Sequence, residues 1–71
     1  KMDNVELCAR NVSAALREVR NAYNAAEKID DPEERDKAVR ELDQVIHHLE
    51  GLSLMFGRLQ KERPKSLVQK A

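Results

Sequence analysis

Few residues in this chain have the types and spacing to do chemistry. Two histidines stand side by side at His47 and His48, a single thiol sits at Cys8, and hydroxyls occur at Ser13, Ser53 and Ser66. Adjacent positions on a helix point about 100° apart, so the two imidazoles do not face one metal ion. A helical zinc pair needs spacings of three or four residues. Cys8 falls more than two turns from His47 if the chain folds back on itself. No serine has a histidine at a plausible distance, and nothing predicts a concave pocket where groups would converge. The acids are interleaved with bases, as in "REVR" and "ERDKAVRE", which reads as a solvated, salt-bridged surface. The expectation is therefore no enzyme: no catalytic residues, no metal ligands and no cofactor.

What stands out instead is apolar. The stretch "HHLEGLSLMFGRL", His47 to Leu59, holds both histidines, both glycines, the one phenylalanine and the densest apolar run. Its purpose depends on the elements that carry it.

The totals restrict those elements. Seventy-one residues form at most one small domain. Charged residues make up 37%, apolar residues 41% and aromatic residues 3%, the profile of long amphipathic helices. Net charge is zero, so no global field draws the chain to nucleic acid, and Tyr23 and Phe56 alone do not make a stacking platform for bases. The charge is nevertheless segregated. Residues 27–36 carry six acids against two bases, and residues 57–71 carry five bases against one acid. The lone cysteine, and the lack of any run resembling a membrane span or a signal peptide, lead to the expectation of an intracellular protein, cytoplasmic or nuclear.

The sharpest local signal is "KIDDPEER". Asp31 can cap a helix, Pro32 suits its first position, and Glu34 follows the cap by three residues. A helix must start there, and the preceding one must end by Ile29 or Asp30. The expected organisation is a hairpin over residues 1–63, with a helix over 3–29, a turn at 30–31, a helix over 32–62, and a basic tail over 64–71. Val5, Val12, Val19 and Ala26 form one heptad row of the first helix, and Cys8, Ala15, Ala22 and Ile29 a second, with Leu16 and Tyr23 widening the stripe. In the second helix the rows are Leu42, Leu49, Phe56 and Ala38, Val45, Leu52, Leu59, widened by Val39 and Ile46. This predicts an all-α, coiled-coil-like antiparallel pair. A tight turn sets Leu16 opposite Ile46 and His47, and Tyr23 opposite Val39 and Arg40. The alternative is a small three-helix bundle with a break at Gly51, since glycine weakens a helix by about 1 kcal/mol relative to alanine.

A lone hairpin buries one stripe per helix, and here each stripe is wider than that. The excess predicts a non-catalytic protein–protein interaction module, a scaffold, adaptor or oligomerisation domain. The expected partner is a second copy, giving a four-helix bundle, or an amphipathic helix of another protein. The contact residues expected are Leu16, Tyr23, Leu49, Leu52, Met55, Phe56 and Leu59. The alternative is a binder of nucleic acid or acidic surfaces through Arg58, Lys61, Arg63 and Lys65.

Overall fold

The computed structural model describes residues 3–62. Two helices pack antiparallel: α1 over Asn4–Ala26 and α2 over Pro32–Glu62. Each starts on an aspartate. The Asp3 carboxylate accepts from the Glu6 N–H at 2.9 Å, and the Asp31 carboxylate from the Glu34 N–H at 2.8 Å. Each cap satisfies a first-turn donor that the helix itself leaves open. Asp3 is thus the cap and not the first helical residue. At its other end α1 stops at Ala26, three residues short of Ile29, and the chain tightens through i→i+3 bonds from Lys28 to Ala25 and from Ile29 to Ala26. The Arg35 guanidinium, from the first turn of α2, donates to the Ile29 carbonyl at 3.2 Å and ties the two helix ends together.

α2 runs unbroken through Gly51 and Gly57, neither of which has positive φ. The three-helix alternative is therefore corrected. The apolar register on either side of Gly51 never slips, so the packing gained by one long helix exceeds the glycine's propensity cost.

The seam differs from the expected one in a specific way. On α1 the buried and half-buried positions include Val5, Ala9, Val12, Leu16, Val19, Tyr23 and Ala26, spaced alternately four and three, with Ala14 half-buried as well. On α2 the matching series is Arg35, Val39, Leu42, Ile46, Leu49, Ser53 and Phe56. The side chains taken as widening the stripe, Leu16, Tyr23, Val39 and Ile46, form the second seam row. The expected second rows are only partly covered: Cys8, Ala15 and Ala22 are exposed and Val45 and Leu59 keep 44% and 43% of their surface, while Ile29, Ala38 and Leu52 are half-buried. Two helices in contact cover two rows each, and choosing Leu16 and Tyr23 over Cys8, Ala15 and Ala22 buries more apolar area.

Across the pair, Arg20 forms an ion pair with Glu50 at 2.7 Å. Gln60 lines a shallow groove with Glu6 and Ala9. The chain continues past α1 through Ile29 before it reverses into α2, which has 31 residues against 23 in α1.

Candidate interaction surface

The two sides of the hairpin are chemically different. The Arg20–Glu50 ion pair marks one of them. Arg20 follows Leu16 by four residues, and Glu50 follows Ile46 by four, so both flank the seam in the same rotational sense. Ser13, Arg17 and Asn21 line a groove on that side beside Leu16 and Arg20, and Glu6 and Arg10 continue it. On α2 the exposed His47 lies there too, its Nδ1–H donating to the Asp43 carbonyl at 2.9 Å with the Asp43 carboxylate at 3.5 Å. This is a polar, solvated face. It also carries Leu54, 71% exposed.

The opposite rotational sense gives the other face. Cys8, Ala15 and Ala22 sit three residues from the Val5–Val12–Val19 row, and Val45, Leu52 and Leu59 sit three residues from the Leu42–Leu49–Phe56 row. In an antiparallel pair, offsets of one sense on both helices fall on one side, as Arg20 and Glu50 demonstrate for the other sense. The two leftover rows therefore share the face away from the ion pair. It carries a small row on α1 and a larger row on α2, extended by Ala38. Asn11, Glu18, Glu41 and His48 follow at the rims, together with Met55.

The expected contact residues divide accordingly. Leu16 is 9% exposed and Ala26 5%, and these are the two buried apolar residues among those described. Leu16 is therefore occupied within the hairpin. Tyr23, Leu49 and Phe56 are half-buried along the seam. Leu52 is half-buried, while Met55 and Leu59 are exposed. Reading the sequence missed Val45, Ala15, Ala22 and Cys8 as outward residues. It assigned them to the seam, and only their shared heptad row marked them as belonging together. Cys8 is a free, exposed thiol and not the small core residue expected. Arg58 and Lys61 are exposed, and Arg63 and Lys65 lie outside the described residues.

Among the described residues no three of His, Cys, Asp or Glu cluster as a metal would require. No described helix is long and apolar enough to cross a membrane. No protein-family model matches the chain, and neither a curated protein nor a solved structure matches it.

Proposed function

We propose that this hairpin is a non-catalytic association module, a scaffold, adaptor or oligomerisation domain, which works by covering the face of Val45, Leu52 and Leu59 with another apolar helical surface. The observation that carries this reading is the thin interior. Only Leu16 and Ala26 are buried among the described residues, while a full apolar row on α2 stays half wet. Complete burial of a Val or Leu side chain contributes roughly 1.5–3 kcal/mol, so covering the rest of each would add about 1 kcal/mol per residue. A single chain of this size has little else to offset the entropy of ordering. The occupant is either a second hairpin, completing a four-helix bundle, or an amphipathic helix of another protein. An intracellular setting, cytoplasmic or nuclear, fits the free thiol.

The test compares Leu52→Asp with Leu54→Asp in the whole chain. Association, measured by sedimentation, is expected to fail in Leu52→Asp and to survive in Leu54→Asp, which alters the polar face. Equal behaviour of the two variants would sink the proposal. The second reading, binding of nucleic acid or acidic surfaces through Arg58, Lys61, Arg63 and Lys65, rests on the charge segregation and requires affinity that falls steeply with salt.

A further inference from the structure

We draw no further inference here: the strongest candidate, the apolar surface patch of Val45, Leu52 and Leu59 on α2 beside Cys8, Ala15 and Ala22 on α1, belongs to the surface already described, and nothing in the structure shows what covers it.

Discussion

Replacing Gly51 by alanine isolates one term of the fold. Gly51 lies within α2 with no positive φ, and a methyl group added at its Cα meets no atom within 4 Å. The substitution therefore neither fills a gap nor creates a clash, and packing drops out of the comparison. What remains is helix propensity, in which glycine is about 0.8–1 kcal/mol less favourable than alanine. The expected gain is about 1 kcal/mol, which in a domain of this size raises Tm by roughly 4–8 °C. Gly57 also meets open space within 4 Å, and it is six residues away on a different side of the helix. The pair should add, giving about 2 kcal/mol in Gly51→Ala, Gly57→Ala. The assay is thermal unfolding followed by circular dichroism at one fixed protein concentration, because association would itself move Tm. A fall in Tm in Gly51→Ala would refute the reasoning. It would mean that Gly51 adopts a conformation alanine resists, as at the end of a helix, and that α2 is two helices.

Three further outcomes follow from the same geometry. Leu16→Ala removes the more buried of the large apolar side chains and should cost about 2–3 kcal/mol, at the low end for such changes because the half-open neighbours can close in; denaturant unfolding reads the loss. Asp31→Ala removes the acceptor of the Glu34 N–H and should cost about 1 kcal/mol, lowering Tm without changing the helix content of the folded state. Cys8 is exposed in the single hairpin but lies on the apolar face, so its alkylation by iodoacetamide should be fast in dilute protein and slow progressively as concentration rises. A rate independent of concentration would place Cys8 outside any interface.

The parts of the fold legible in the sequence were those with a local cause. Asp31, Pro32 and Glu34 carry a helix start in four residues, and the structure has it there, with the Asp31 carboxylate on the Glu34 N–H. The heptad spacing of Val5, Val12 and Val19 and of Leu42, Leu49 and Phe56 fixed one seam row on each helix. The second row was not legible. Each helix carries apolar residues three and four positions from that first row, and either pair of rows closes a hairpin. Only the comparison of Leu16 and Tyr23 with Cys8, Ala15 and Ala22 across the partner helix decides between them, and that is a tertiary quantity. The same error exchanged the inside for the outside: Leu16 was expected to meet a partner and is buried, whereas Cys8 was expected inside and is exposed.

The most direct measurement is the mass of the full chain in solution, by light scattering over a dilution series from about 200 µM to 1 µM with helicity followed in parallel; the upper end lies well above and the lower end near a micromolar dissociation constant, the range of a modest interface. A face that exists to be covered predicts a helical dimer at high concentration that loses mass and helicity together on dilution. A helical species of single-chain mass at every concentration, with unchanged helicity, would contradict self-association through the row of Val45, Leu52 and Leu59.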